Sequence, residues 1–134
     1  MEMYLNLRQP LNYTKIKALP SLISENDEFL LCCELNPAQA ASIEPEKEKL
    51  LGNLLFTAKM TAVSAEDAVN LPAGRYIFSQ CRRETPLNQE EWLDMAVELQ
   101  KDGLWERNKL ENQLFVRFLY EDGKFVTQIF RAIS

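Results

Sequence analysis

The order of predicted elements in the C-terminal half of the chain constrains the fold more than any other sequence feature. Residues 75–82 have a strand-like composition, and residues 88–100 carry the apolar spacing of an amphipathic helix. Residues 114–120 and 124–133 alternate as two strands around a turn that contains Gly123, which is a strong hairpin signal. The predicted order is therefore strand, helix, strand, strand, a unit in which the helix packs against the sheet.

Local signals predict where the helix of this unit begins and ends. Asn88 is a favourable N-cap, and Glu91 stands at the position that completes a capping box. Gly103 suits the position just after a helix, where a left-handed backbone is common. The apolar stripe consists of Trp92, Met95, Ala96 and Leu99. We expect this stripe to be buried against the sheet.

The first half of the chain has the pattern of a looser copy of the same unit. Residues 1–7 and 28–35 have the composition of strands, and residues 54–63 alternate as a further strand. Between the first two strands, residues 12–24 place apolar side chains at helical spacing, with a kink expected at Pro20. The predicted order is again strand, helix, strand, strand.

The two copies together predict an α+β fold. A single domain over residues 1–134 would contain repeat one at about 1–63 and repeat two at about 72–134. The strands would join into one curved antiparallel sheet with two helices on one face. Short helical turns are expected within 36–51, and a turn is expected over 64–70.

The composition excludes several functions. A net charge of −5 argues against direct nucleic-acid binding, because phosphate affinity requires clustered lysine and arginine. The absence of histidine excludes Ser-His-Asp and Cys-His catalysis and removes the commonest zinc ligand, so no metal site is expected. The four glycines stand singly and form no phosphate-binding loop, and no cofactor is expected. No segment has the apolar length of a membrane span or the pattern of a signal peptide. We therefore expect a cytoplasmic protein.

A short motif adds a resemblance to a known family. The segment from Leu71 to Tyr76, Leu-Pro-Ala-Gly-Arg-Tyr, resembles the Pro-x-Gly-x-Tyr opening of the second repeat in gyrase-inhibitor-like, effector-binding domains. The resemblance implies two strand-helix-strand-strand repeats that bind a bulky cationic or aromatic molecule in the cleft between them. It also implies an acidic residue at the start of the penultimate strand, which Glu111 matches here. Where the family has an aromatic residue two positions later, this chain has Gln113, and the aromatic residue follows at Phe115.

Five residues are candidates for ligand binding. Tyr76 and Phe78 share one strand face and would stack on a flat ligand, while Glu111 would hold its positive charge. Trp105 follows the predicted helix end and would lie at the rim of the cleft. Arg117 occupies a strand position where an apolar residue is expected, and it would contact an anionic group or partner. The structural alternatives are core packing for the aromatic residues and a solvated position for the two charged ones.

Three functions are compatible with these features. The first is a stand-alone domain that binds or senses a hydrophobic or aromatic small molecule in the cleft between the repeats. The second is an interaction module that binds a protein partner through a sheet edge and has no enclosed pocket. The third is a hydrolase that uses Glu111 as a general base in the same cleft. The resemblance favours the first function, so we predict a small-molecule binder, with the interaction module and the hydrolase as alternatives.

Overall fold

The structure, a computed structural model, describes residues 3–61 and 68–134. Within these residues, eight antiparallel strands form one curved sheet. The strands are β1 (Tyr4–Leu7), β2 (Leu11–Ile16), β3 (Glu28–Leu35), β4 (Leu51–Met60), β5 (Ala68–Leu71), β6 (Gly74–Arg83), β7 (Leu110–Glu121) and β8 (Lys124–Ile133). The helices are the single-turn α1 (Pro37–Ala40) and α2 (Lys47–Leu50) and the long α3 (Gln89–Trp105). The predicted α+β class with a curved antiparallel sheet is confirmed.

The sheet is curved because a short link joins strands on its opposite sides. The strand order is β1-β6-β8-β7-β3-β4-β2-β5, so β1 and β2 lie six steps apart. A flat sheet would separate them by about 29 Å, since each step is about 4.8 Å. Residues 8–10 join the two strands and allow a span of only about 14 Å from Leu7 to Leu11. The sheet must therefore bend into a half-barrel.

The two faces of the half-barrel carry separate clusters of buried side chains. One cluster receives side chains from every strand, namely Leu5, Tyr13, Leu30, Ala58, Leu71, Tyr76, Phe115 and Phe130. Side chains from all eight strands meet only on the inside of a curved sheet, so this cluster lies on the concave face. The other cluster joins the apolar stripe of α3 to Ile77, Leu114 and Ile129 on the convex face. The helix therefore covers the outside of the sheet.

The C-terminal predictions are largely confirmed. Strand β6, the helix start and the β7–β8 hairpin occupy the predicted places. The side chain of Asn88 accepts a hydrogen bond from the Glu91 backbone N–H, and the Glu91 carboxylate accepts one from the Asn88 backbone N–H. In the hairpin turn, Asp122 and Gly123 have φ angles of 53° and 74°, the left-handed backbone that this turn requires. Strand β3 and the helical turns within 36–51 also match their predictions.

The predicted end of α3 at Gly103 is wrong. The helix continues to Trp105, and Gly103 is buried inside it. A Cβ atom at Gly103 would lie 2.7 Å from Cδ1 of Ile77 and 3.2 Å from Cδ1 of Leu110. The glycine is therefore needed because α3 approaches β6 and β7 closely, and the helix does not end there.

The helix predicted over 12–24 is also wrong. Residues Leu11–Ile16 form β2, which pairs with β4 on one side and β5 on the other. Tyr13 is fully buried on the concave face, as a strand residue that points inward should be. The apolar residues that suggested a helix are divided between β2 and the irregular segment 17–27, where Leu22 is 79% exposed. Residues 11–16 are extended because β4 and β5 pair with them on either side.

The duplicated arrangement of the two halves is not confirmed. In the second half β8 lies between β6 and β7, whereas in the first half β3 pairs directly with β4. In the described residues, one long helix and two single turns replace the two comparable helices that were expected. A turn was predicted over 64–70, but residues 68–70 belong to strand β5, so this part of the prediction is wrong. Residues 62–67 lie outside the described residues. Met1 and Glu2 of the first predicted strand lie outside them as well.

None of the helices in the described ranges combines the length and apolar character that crossing a membrane requires.

Candidate functional site

A cleft of about 590 Å³ opens where β7 begins and β8 ends. Its apolar lining includes Pro72, Phe115 and Ala132, and its charged lining consists of Glu34, Lys109 and Glu111. Phe115 and Ala132 also belong to the concave cluster, so the cleft opens next to the packed interior of the half-barrel. The cleft therefore combines an apolar wall with ionisable groups.

An irregularity in β7 shapes the cleft. The register between β7 and β8 shifts between Leu110 and Leu114, so the residues between them leave the regular ladder. Glu111 lies in this irregular stretch, and its carboxylate accepts a hydrogen bond from the Ser134 hydroxyl at 2.5 Å. Its backbone carbonyl accepts from Nε and Nη2 of Arg131, at 3.1 and 2.9 Å. The position of Glu111 is thus fixed through both its backbone and its side chain.

Arg131, which hydrogen-bonds the Glu111 carbonyl in this irregular stretch, is fully buried. Besides Glu111, its guanidinium donates to Oε1 of Gln100 at 2.7 Å and to the carbonyl of Ala40 at 3.0 Å. All of these acceptors are neutral, and burial lowers the pKa of Arg131 to about 10. Charged residues on strands usually face solvent, so the sequence pattern alone did not identify this support for the cleft.

The two carboxylates of the cleft have no ion-pair partner among the described residues. Glu34 is half-buried and pairs across strands with Gln113, while Glu111 is exposed at the rim. Lys109 lines the same cleft but forms no ion pair with either glutamate in the described part of the chain. Two negative charges beside an apolar wall make the cleft suitable for a positively charged group. Nothing in the sequence pattern pointed to Glu34.

Tyr76 lies behind the wall of the cleft. Its hydroxyl donates a hydrogen bond to the carbonyl of Pro72, and its ring meets Phe115 edge-on with the centroids 6.2 Å apart. Tyr76 is almost fully buried, and burial raises its pKa to about 12. Since Pro72 and Phe115 both line the cleft, Tyr76 supports its wall from the concave interior.

Phe78 and Trp105 lie away from the Glu111 cleft. Phe78 stacks on Phe130 with the ring planes 15° apart, and it lines a different groove between β6 and α3. Trp105 is the last residue of α3, not a residue beyond the helix, and 79% of its surface is exposed. The structure therefore does not bring these two aromatic residues together with Glu111.

Arg117 belongs to a polar network at another place on the concave face. Its Nη2 lies 2.8 Å from Oε1 of Glu28, and its Nη1 donates to Gln128 at 3.1 Å. The hydroxyl of the fully buried Tyr13 donates to the same Glu28 carboxylate. Burial alone would lower the pKa of Arg117, but Glu28 and Tyr13 raise it above its ordinary value. Arg117 is thus neutralised by Glu28 and does not line the Glu111 cleft.

Neither a protein-family model nor a curated protein sequence matches the chain. Within the ranges that the structure describes, no group of three or more carboxylate or thiol side chains is arranged to hold a metal ion. The described lining of the cleft provides two carboxylates, a lysine, the polar side chains of Asn112, Gln113 and Ser134, and an apolar wall.

Proposed function

We propose that the protein binds a small organic cation with an aromatic or other apolar body in the Glu111 cleft. The observation that carries this proposal is the position of Glu34 and Glu111 beside Phe115, without an ion pair to either carboxylate among the described residues. A ligand of this kind would place its charge between the carboxylates and its apolar body against Phe115 and Pro72.

Three physical features support this ligand class. The volume of about 590 Å³ falls within the range of about 300–1,000 Å³ that small-molecule sites occupy. Attraction between unlike charges is stronger beside an apolar wall than in bulk water. The net charge of −5 also raises the local concentration of cations around the whole protein.

A relationship to gyrase-inhibitor-like domains is part of the proposal. The Pro-Ala-Gly-Arg-Tyr segment that opens β6 supports it, because Pro72 lines the cleft and Tyr76 stands behind it. Such a relationship would also favour a sensing role over a catalytic one, since binding alone is sufficient for a sensor.

The proposal is tested with two ions of the same shape and opposite charge, tetraphenylphosphonium and tetraphenylborate. We expect the cation to raise the unfolding temperature, since a ligand at 100 times its Kd adds about 2.7 kcal/mol to the free energy of unfolding. Glu111→Gln should weaken binding of the cation at least tenfold, about 1.4 kcal/mol, in isothermal titration calorimetry.

Glu48→Gln provides the matched control, because Glu48 is exposed and lies outside the cleft. This variant changes the net charge by the same amount as Glu111→Gln. Because Glu48 does not line the cleft, the affinity of the variant for the cation should stay within twofold of that of the wild type. If the two glutamine variants weaken binding equally, or the borate anion binds as well as the cation, the proposed site is wrong. If neither ion raises the unfolding temperature, the protein-interaction alternative takes precedence.

A further inference from the structure

A second cavity, separate from the Glu111 cleft, lies beneath the irregular segment 17–27 on the convex side. Its volume is about 260 Å³. The segment forms its outer wall through Leu19, Pro20, Ser21 and Ile23. None of the described residues that line it lines the Glu111 cleft, so the two sites are separate.

Apart from Ser21, the described side chains that line this cavity are apolar, and four of them carry aromatic rings. The rings come from three strands and the first turn of α3: Phe29, Trp92, Phe118 and Phe125. Phe29 and Phe118 are direct cross-strand partners, which makes the inner wall continuous. Among the described residues that line the cavity none is ionisable, and Ser21 contributes the single hydroxyl group.

We propose that this cavity binds a small uncharged aromatic molecule of one or two rings. An apolar cavity of about 150 Å³ accommodates benzene, so about 260 Å³ accommodates a substituted or fused ring. A charged group is disfavoured, because none of the described lining residues offers an opposite charge and burial of an unpaired charge is costly. Aromatic walls favour an aromatic occupant, since edge-on and offset ring contacts add to the gain from apolar burial.

The outer wall provides a route of entry. Residues 17–27 form neither helix nor strand. A turn secures the C-terminal end of the segment, where the Asp27 backbone N–H donates to the Ser24 carbonyl and the Asp27 carboxylate accepts from the Ser24 backbone N–H. Leu19 and Ile23 are only half-buried, and Leu22 between them points to solvent. The cavity is already partly open to solvent on this side, so a ligand enters without breaking a strand.

The two tryptophans allow a direct test. Trp92 lines the cavity and is 5% exposed, whereas Trp105 is 79% exposed and lies outside it. Trp105→Phe therefore leaves Trp92 as a reporter of the cavity. Iodobenzene, a neutral ring with a heavy-atom quencher, should quench Trp92 emission along a saturable binding curve, and naphthalene should compete with it. The charged analogue 4-iodobenzoate should bind at least tenfold more weakly.

Two variants on the same segment form a matched pair in the Trp105→Phe background. Leu19→Phe fills the cavity and should weaken iodobenzene binding at least tenfold, while Leu22→Phe adds the same ring on the exposed side and should leave the affinity within twofold. Circular dichroism and the unfolding temperature establish that each variant is folded. If Leu19→Phe does not fold, Ser21→Phe, at an exposed position of the outer wall, replaces it.

The outcomes separate this site from the other one. Glu111→Gln should leave iodobenzene binding unchanged, because Glu111 does not line this cavity. Quenching that rises linearly without saturation would overturn the proposal. It would also be overturned by equal affinities of Leu19→Phe and Leu22→Phe, or by equal binding of iodobenzene and 4-iodobenzoate.

Discussion

At the scale of single residues, Arg131 supports the cleft through its hydrogen bonds to the backbone carbonyl of Glu111. Its charge is buried without a carboxylate partner among the described residues, so the guanidinium depends on hydrogen bonds to neutral acceptors. These acceptors lie from 20 to 91 positions away in the sequence. Residue type and local alternation therefore could not predict its role. Glu111, which lines the cleft, was a candidate because of the resemblance to gyrase-inhibitor-like domains and not because of the local pattern.

Tyr76 gives a prediction with a defined dependence on pH. At pH 8, Tyr76→Phe should lower the free energy of unfolding by about 1 kcal/mol, because the hydrogen bond to Pro72 is lost. A tyrosine ionises near pH 10 when unfolded, whereas burial raises the pKa of Tyr76 to about 12. The contribution of its protonated hydroxyl is complete below pH 10 and is lost between pH 10 and 12.

The measurement is urea unfolding of the wild type and Tyr76→Phe at pH 8 and pH 11.5. Phenylalanine does not titrate, so the free energy of unfolding of the wild type minus that of Tyr76→Phe, which is positive at pH 8, should decrease at pH 11.5. The buried thiols of Cys32 and Cys33 also titrate in this alkaline range, with pKa values raised to about 12 and about 11 by burial, but they are common to both proteins. A difference that grows with pH would contradict the prediction.

At the scale of elements, the two ends of α3 differ in whether neighbouring residues or distant residues determine them. Its beginning was predictable, because the capping box involves only Asn88 and Glu91. Its end was not, because Gly103 serves the contact with Ile77 on another element. The same distinction explains β3, whose continuous apolar run predicted a buried strand, and β2, whose short polar-apolar pattern matched a helix equally well.

Gly103→Ala is expected to destabilise the protein although alanine favours helices. The helix propensity of alanine contributes about 1 kcal/mol in its favour. Overpacking of a filled core costs about 1–3 kcal/mol, and the added Cβ would lie 2.7 Å from Cδ1 of the fully buried Ile77. We therefore expect a net loss of about 1 kcal/mol in the free energy of unfolding, measured by chemical denaturation.

Ile77→Val provides the control, because it removes the methyl group that the alanine would contact. Alone it should cost about 0.5–1.5 kcal/mol. In the Gly103→Ala background it should cost less, which gives a favourable coupling in a double-mutant cycle. Additive effects of the two substitutions would show that the close contact does not determine the role of Gly103.

At the scale of the whole molecule, curvature is the property that local patterns could not predict. It follows from the short link between β1 and β2 together with a strand order in which they lie far apart. The Glu111 cleft depends on this curvature, because Pro72, which lines it, lies in the two-residue link between the outermost strand β5 and strand β6 near the opposite edge of the sheet. A prediction based on two repeats therefore gave the α+β class but not the order of the strands in the sheet.

The strand order predicts how protection from hydrogen exchange is distributed. Strands β7, β8 and β3 have partners on both sides and contribute to both buried clusters, so their amides should exchange slowest. The outermost strands β1 and β5 should exchange faster, since each has a partner on one side within the described residues. Hydrogen–deuterium exchange followed by NMR measures this directly. Equal protection of β5 and β8 would contradict the expected order.

The strand order also has a consequence for the ribosome-bound chain. Strand β1 pairs with β6, and β3 receives its second partner only from β7, which ends at Glu121. Translation must therefore pass most of the chain before the apolar residues of β3 are enclosed on both sides. Until then β3 is an incompletely paired apolar strand, the kind of segment that associates with other chains. The nascent protein is thus most exposed to aggregation, and most dependent on chaperones, in the interval between synthesis of β3 and synthesis of β7.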